Sequence, residues 1–377
     1  MIASVETMHP YSVTVGHDSS ATKEEWDQYV QSNPLSSCYH LSAWMRSIEK
    51  AYGHSCHWIV ARRKKGVCDG GENHSEICGI LPLVHIKHFV FGNSLVSLPF
   101  ADLGGVLADD PAVEEALLRF AAELRGQVGA YTVELRSNEG HTATNMMRDL
   151  AIDASSWKVI MTRELPDDPN RLFQEFKPKL RSQIRKPEKE GMKFRIGDAS
   201  LLDDFYKVFC QNMRDLGSPV HSREWFRNVA ECFGQKSHFG VAYHEGKPIA
   251  AGMILSHMDT VSIPWASSLR KFNVLGSNMF LYWNFMKFAC ENGIKKFDFG
   301  RCTIGSGTQK FKEQWGAIGK PVTRFIIRQN GINEFINFNN VKADGNLKKE
   351  FFIRIWKNVP IIISNIIGPK IRKYISL

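Results

Sequence analysis

The sequence of 377 residues lacks a long hydrophobic run, a paired-cysteine motif and a glycine-rich phosphate loop, and each shortage narrows what the chain can be. No stretch reaches the ~20 apolar residues that a membrane span requires. The longest candidate, residues 359–368, is followed by Lys370, Arg372 and Lys373. Such a segment suits either an interfacial position on an anionic membrane or a terminal helix folded back on the core. The N-terminal residues have neither the basic start nor the apolar run of a secretory signal. Eight cysteines, at positions 38, 56, 68, 78, 210, 232, 290 and 302, are scattered without a C-x-x-C pair. A chain of this size does not need disulfide staples, so the reading is reduced thiols in the cytoplasm, with the inner membrane face as a peripheral option. His54, Cys56, His57, Cys68, His74 and Cys78 gather in one region, but their spacings match no standard zinc pattern and no metal is expected.

What is present is a globular composition, 43% hydrophobic and 23% charged, with a formal charge of +9. The length favours two domains over one core. The excess charge is concentrated: residues 176–195 carry eight Lys/Arg against two Glu, and residues after 329 carry eight against three Asp/Glu. Two basic segments of this kind suit an anionic partner, such as a nucleotide diphosphate, tRNA or lipid headgroups, or else a solvated helix face.

Hydrophobic periodicity predicts the same succession of elements twice. Helical spacing at 21–31 and 39–52 gives way to strands at 57–66, 76–89 and 94–108, then a helix at 109–129 and a strand at 131–137. In the second half, helices at 170–191 (divided by Pro178 and Pro187), 200–217 and 222–234 precede strands at 238–246 and 247–268, a helix at 277–293 and a strand at 295–301. Helices leading into an antiparallel meander and then a strand-helix-strand crossover form the arrangement of the GNAT acyltransferase fold, an α/β (α+β) sheet whose central strands splay apart. Two tandem GNAT-like domains are therefore expected, at 1–155 and 156–330, with 331–377 as a basic amphipathic C-terminal extension.

The stretch FDFGRCTIGSGTQKFKEQWGA, residues 297–317, places Asp298 and Arg301 at the carboxyl end of a central strand, where ligands of open α/β sheets bind. An Asp there can orient an amine nucleophile, and an Arg can clamp an anion through two hydrogen bonds. An ion pair between the two that pins the loop is the competing reading. Lys310 and Lys312 lie about 200° apart on a helix, so only one faces inward. Lys312 is the candidate, because Phe311, Trp315 and Ile318 mark the packed side; it could offset oxyanion charge, or could simply face solvent. Phosphate binding at a helix N-terminus would fall to Gly276, Ser277 and Asn278, in a loop with one glycine flanked by Arg270 and Lys271. Trp225, Trp265, Tyr282, Trp283 and Trp315 suit either core packing or stacking on a ligand. His221, His238, His244 and His257 have no partner logic for catalysis.

With the blocks GRCTIGSGTQKFKEQWGA, NMRDLGSP and SNMFLYWNFMKFACENG, the chain resembles the FemAB-like family of tandem-GNAT transferases, nearest the branch associated with exosortase and exopolysaccharide systems. Some members move an amino acid from aminoacyl-tRNA onto an amine of a peptidoglycan precursor. The resemblance implies an N-acyl or aminoacyl transferase acting on an amine of a cell-envelope or exopolysaccharide precursor. No permanently bound cofactor is implied; acyl-CoA or aminoacyl-tRNA would serve as donor. The resemblance places Lys312 on the lysine of the F-K block, which joins Asp298 at the strand end as a catalytic candidate. Arg214, near the arginine that binds a nucleotide-linked phosphate in peptidoglycan-type members, would line the acceptor site with Arg301, Tyr282 and Trp315, the two arginines meeting the anionic groups of a small-molecule or lipid-linked precursor. The basic helix after 171 is too short for the coiled-coil arm of tRNA-using relatives, which counts against tRNA. The rival reading is a non-catalytic scaffold of the same fold, held at a membrane surface by its basic tail for a polysaccharide or protein-sorting system.

Overall fold

In the computed structural model, which describes residues 5–6, 13–17, 22–64, 75–138, 158–328, 331–332 and 343–376, the chain forms two units. The first comprises residues 1–157, 321–337 and 374–377, and the second 158–320 and 338–373.

The first unit runs β1 (Val5–Glu6), β2 (Val13–His17), α1 (Lys23–Ser32), α2 (Ser42–Tyr52), β3 (Ser55–Lys64), β4 (Ser75–His88), β5 (Gly92–Val96), β6 (Leu107–Ala108), α3 (Pro111–Gln127) and β7 (Thr132–Asn138). Its strands follow in the order β1-β2-β3-β4-β5-β7. All neighbours are antiparallel except β5 and β7, which the α3 crossover makes parallel. Asp110 caps α3 by accepting from the Ala112 and Val113 amides, and Pro111 opens it. The strand expected at 94–108 is interrupted. Leu98 and Phe100 take φ of 49° and 67°, which no strand accommodates, so β5 ends at Val96 and pairing resumes with a lone bridge from Gly104 to Arg136 and then at β6. Pro99 lies between them, and its carbonyl accepts the Trp44 indole N–H at 3.1 Å.

The second unit repeats the plan with β8 (Lys158–Glu164), α4 (Pro169–Glu175), α5 (Pro178–Lys189), β9 (Lys193–Gly197), α6 (Leu202–Leu216), α7 (Arg223–Phe233), β10 (Ser237–His244), β11 (Lys247–His257), β12 (Thr260–Ser268), α8 (Ser277–Glu291), β13 (Lys296–Thr303) and α9 (Gly307–Glu313). Its sheet is ordered β8-β13-β12-β11-β10-β9. Only β12 and β13 run parallel, joined by the α8 crossover. Pro178 does separate two helices, whereas Pro187 sits in the last turn of α5 without dividing it, since few amide bonds remain there to lose. The strand β14 (Ile318–Arg328) then returns the chain to the first unit, where its later residues pair antiparallel with β7 and with β15 (Gly331–Ile332). The final helices, α10 (Ala343–Trp356) and α11 (Ile361–Arg372), fold back on the second unit. Trp356 and Ser364 are buried there, and Gly368 stands against Val220.

Neighbouring residues on β10 show how the sheet is covered. Phe239 packs on Phe205 of α6, while Gly240 faces Phe285 of α8, so the two helices lie on opposite faces. Glycines at 240 and 252 let the Phe285 ring sit directly on the backbone, because a Cβ at either would come within 2.4 or 2.8 Å of it. Among the described residues no group of three metal-ligating side chains occurs; Cys68 and His74 lie outside them. The other seven cysteines are free thiols.

Gly240→Ala should lower stability by about 1–3 kcal/mol through overpacking against Phe285. Gly126→Ala, in open space on α3, should raise it by roughly 0.5–1 kcal/mol. Urea unfolding of the two variants would test the contrast, and equal midpoints would contradict it.

Candidate active site

The centre of the second unit's sheet is where two strands part. The parallel pairing of β12 with β13 covers Thr260–Lys296, Val261–Phe297 and Ser262–Asp298 and ends there, although both strands continue. On the other side of β13, Asp298 pairs with Thr162 of β8 and Arg301 with Ile160. Two residues, Phe299 and Gly300, thus oppose one, and β13 carries a bulge at the point of separation. β12 is irregular in the same place: Trp265 faces Met253 and Ser262 faces Leu255, leaving an extra residue in the stretch that holds Pro264. A proline inside a central strand is tolerated where the ladder is broken in this way.

Charged side chains hold the bulge open. Gly300 has φ of 73°, a conformation that favours glycine. Its amide donates to Asp298 Oδ1 at 2.7 Å, and its carbonyl accepts from Lys312 Nζ at 2.8 Å. Lys312 also donates to the Arg301 carbonyl at 3.0 Å, and Asp298 Oδ2 accepts from the Ser262 hydroxyl at 3.0 Å. Both charged groups are nearly covered, Asp298 at 6% exposure and Lys312 at 4%. Lys310 faces solvent, so of the two lysines it is Lys312 that turns inward. The Asp298 carboxylate and the Lys312 ammonium therefore fix the path of β13 through Gly300, while Arg301, partly exposed, stands just beyond.

The rest of the F-K-E-Q-W-G block secures α9 beneath this bulge. Trp315 is fully buried, edge-on to Phe176 at 5.5 Å. Gly316 has φ of 80°, and a Cβ there would come within 2.0 Å of the Arg163 guanidinium, which pairs with Glu175. Tyr282 on α8 stacks on Phe299 at 5.6 Å and lies 6.4 Å from Trp315. Burial pushes its phenol well up, so it stays protonated at neutral pH. Tyr282 and Trp315 belong to an aromatic layer under the site.

The beginning of α8 is built for close approach. Gly276, at φ of 80°, ends a short helical turn over Arg270–Leu275 and precedes Ser277. Pro187 of α5 lies 3.2 Å from where a Gly276 Cβ would be, and Lys186 donates to the Val274 carbonyl at 2.7 Å. The Ser277 hydroxyl is buried with no hydrogen-bond partner among the described residues, while Asn278 is half-buried. A buried hydroxyl among the free amides of a helix N-terminus is a place an anion can occupy.

The structure brings Asp298, Arg301 and Lys312 together, with Tyr282 and Trp315 below them, and gives α8 both Tyr282 and the Gly276–Ser277–Asn278 turn. Arg214 is elsewhere, in the last turn of α6 on the opposite face, paired with Asp215 at 2.9 Å. The same turn reaches the far end of β12, where Asn212 donates to Ser267 at 3.0 Å. Ser262, Pro264, Ser267 and Asn212 were given no role in the sequence, and Gly300 was read only as part of the strand end. Pro264 inside an apolar strand was the one available signal.

Residues 174–313 match the acetyltransferase (GNAT) domain family. Comparison with curated proteins finds no match. Among solved structures, FemX is similar at 14% identity and TM-score 0.61, over 81% of this chain and 94% of its own. A tandem GNAT protein from the clavulanic acid biosynthesis pathway is similar at 11% identity and TM-score 0.53, over 84% and 98%. The C-terminal domain of a putative lysylphosphatidylglycerol synthetase from Agrobacterium fabrum is similar at 11% identity and TM-score 0.52, over 87% and 94%. At these identities the likenesses are of fold.

Lys312→Met leaves two carbonyls at the bulge without their donor and should cost about 2–4 kcal/mol. Asp298→Asn keeps one acceptor oxygen and should cost roughly 1–2 kcal/mol. Denaturant titration of each variant checks the order; a Lys312→Met protein as stable as the parent would remove the lysine from this role.

Proposed function

We propose that the chain is an acyltransferase, its residues 174–313 matching the acetyltransferase (GNAT) domain family and its fold being like those of FemX and a tandem GNAT protein, and that its second unit transfers an acyl or aminoacyl group from an activated donor to an amine on an anionic cell-envelope or exopolysaccharide precursor. The observation that supports this reading is the parting of β12 and β13 at Ser262 and Asp298, on the sheet whose α8 turn carries the buried Ser277 hydroxyl. In this reading the donor lies along the separated strands and its phosphates meet Gly276, Ser277 and Asn278. An acyl-CoA thioester is favoured over aminoacyl-tRNA, because α5 spans only Pro178–Lys189 and offers no long arm for tRNA.

The reaction forms a C–N bond as the acceptor amine attacks the donor carbonyl, and breaks the C–S bond as the thiolate leaves; the ammonium proton passes to solvent. Proximity in the gap supplies much of the rate. Asp298 and Lys312 act as positioning residues through Gly300, setting the line of β13 backbone that faces the reacting carbonyl. Arg301 binds an anionic group of the acceptor, and Arg214 is assigned a second such contact, or a lipid-linked phosphate, from the α6 turn. Tyr282, stacked on Phe299, supports β13 from the aromatic layer beneath the site.

The internal engagement of Asp298 and Lys312 is also what a non-catalytic scaffold would need, and ligand titration separates the two. Calorimetry with acetyl-CoA and longer acyl-CoA should show binding, and thiol release with amine acceptors should show turnover. Binding should weaken about tenfold or more when Ser277→Asp sets a negative charge at the α8 turn. A chain that binds none of these thioesters and releases no thiol would leave the scaffold. Arg301→Ala should raise KM for the acceptor by about tenfold or more with kcat little changed, the mark of a lost binding contact.

A further inference from the structure

From residue 351 to residue 373 the chain carries five Lys/Arg and no Asp or Glu. The helices α10 and α11 turn one side into the second unit: Ile353 stands against Gly217, Gly368 against Val220, and Trp356 is 6% exposed. The other side is largely exposed. Ile362, Ile363, Ile366 and Ile367 are 72%, 45%, 59% and 43% exposed. Their i, i+1, i+4, i+5 spacing puts them on a single stripe of α11, and Lys370, also exposed, continues it one turn on. On α10, Phe351 and Ile355, four residues apart, are 66% and 50% exposed, with exposed Lys357 just beyond.

An apolar stripe flanked mostly by cations, with Glu350 at the start of the exposed part of α10 as the one carboxylate beside it among the described side chains, is uncommon on a water-facing helix and marks a surface that meets something. Charge decides what. A second copy would set five cations against five, whereas an anionic bilayer offers hydrocarbon for the isoleucines and phosphates for the lysines. Among the described residues no helix is long and apolar enough to cross a membrane, so the helix pair would lie in the headgroup region.

We propose that the outer face of α10 and α11 is a docking surface for an anionic lipid bilayer, with the isoleucine stripe entering the headgroup–acyl boundary. This stands apart from the acyltransferase reading, since it needs no donor, acceptor or turnover.

Flotation of the full chain with vesicles of about one-third phosphatidylglycerol in phosphatidylcholine tests it, against pure phosphatidylcholine vesicles and ~1 M NaCl. The protein should float with the anionic vesicles and stay behind with neutral ones or at high salt. Lys357→Gln and Lys370→Gln should each reduce partitioning by roughly fivefold. Ile362→Asp with Ile366→Asp should reduce it by about tenfold or more, at exposed positions that leave the thermal midpoint in place; Ile362→Thr with Ile366→Thr serves if the aspartates disturb folding. No flotation with the anionic vesicles, or isoleucine variants that float as the parent does, would overturn the proposal. So would a dimer in sedimentation, dissolved by the same substitutions and without flotation, which would assign the face to a second copy.

Discussion

A single glycine, held through the peptide groups on both of its sides, organises the centre of the second unit. The Gly300 amide is taken by a carboxylate and its carbonyl by an ammonium, each nearly removed from water. Burying either charge alone would be costly. Here each is compensated by charge-assisted hydrogen bonds, to the Gly300 amide and the Ser262 hydroxyl for Asp298 and to the Gly300 and Arg301 carbonyls for Lys312. The bulge needs the charges, and the charges need the bulge. Remaining features of α9 follow from that mutual requirement: Trp315 anchors the helix in the core, and Gly316 makes the turn past Arg163 that leaves Lys312 pointing at β13.

This arrangement gives a physical account of a short sequence block. In F-K-E-Q-W-G, the phenylalanine and tryptophan join the aromatic layer with Tyr282, at 5.1 and 6.4 Å, while the lysine crosses that layer to reach backbone oxygen. The block reads as a device for placing strand β13, and its bearing on transfer comes through what that strand presents. The Ser277 hydroxyl, at the opposite end of the α8 crossover from β13, is a buried polar group with no hydrogen-bond partner among the described residues.

Much of the architecture was legible in the chain. The period change from helix to strand, repeated in both halves, is local information, and so is the angular separation that picks Lys312 over Lys310. The helix at 277–293 and the strands at 238–246 and 131–137 were read from runs that differ by little from α8, β10 and β7. Strands β8, β9 and β14 escaped notice. β9 is five residues long and alternates charged with apolar positions, a pattern that becomes a strand only through its pairing with β10. The destination of the Asp298 and Lys312 hydrogen bonds was not legible either, because it depends on β13 being one residue out of step with β8, a relation between segments more than a hundred residues apart. The break in the strand at 94–108 was concealed for a similar reason: its apolar residues suit a buried strand, and only the backbone angles at Leu98 and Phe100 say otherwise.

Pro264 has one further implication. An opening between two strands is ordinarily a defect that a sheet can heal, since each side offers the amides and carbonyls the other lacks. With proline two residues beyond the last paired position, β12 has an amide fewer to offer at the point where closure would have to begin. The proline thus counts against the opening healing by further pairing along β12.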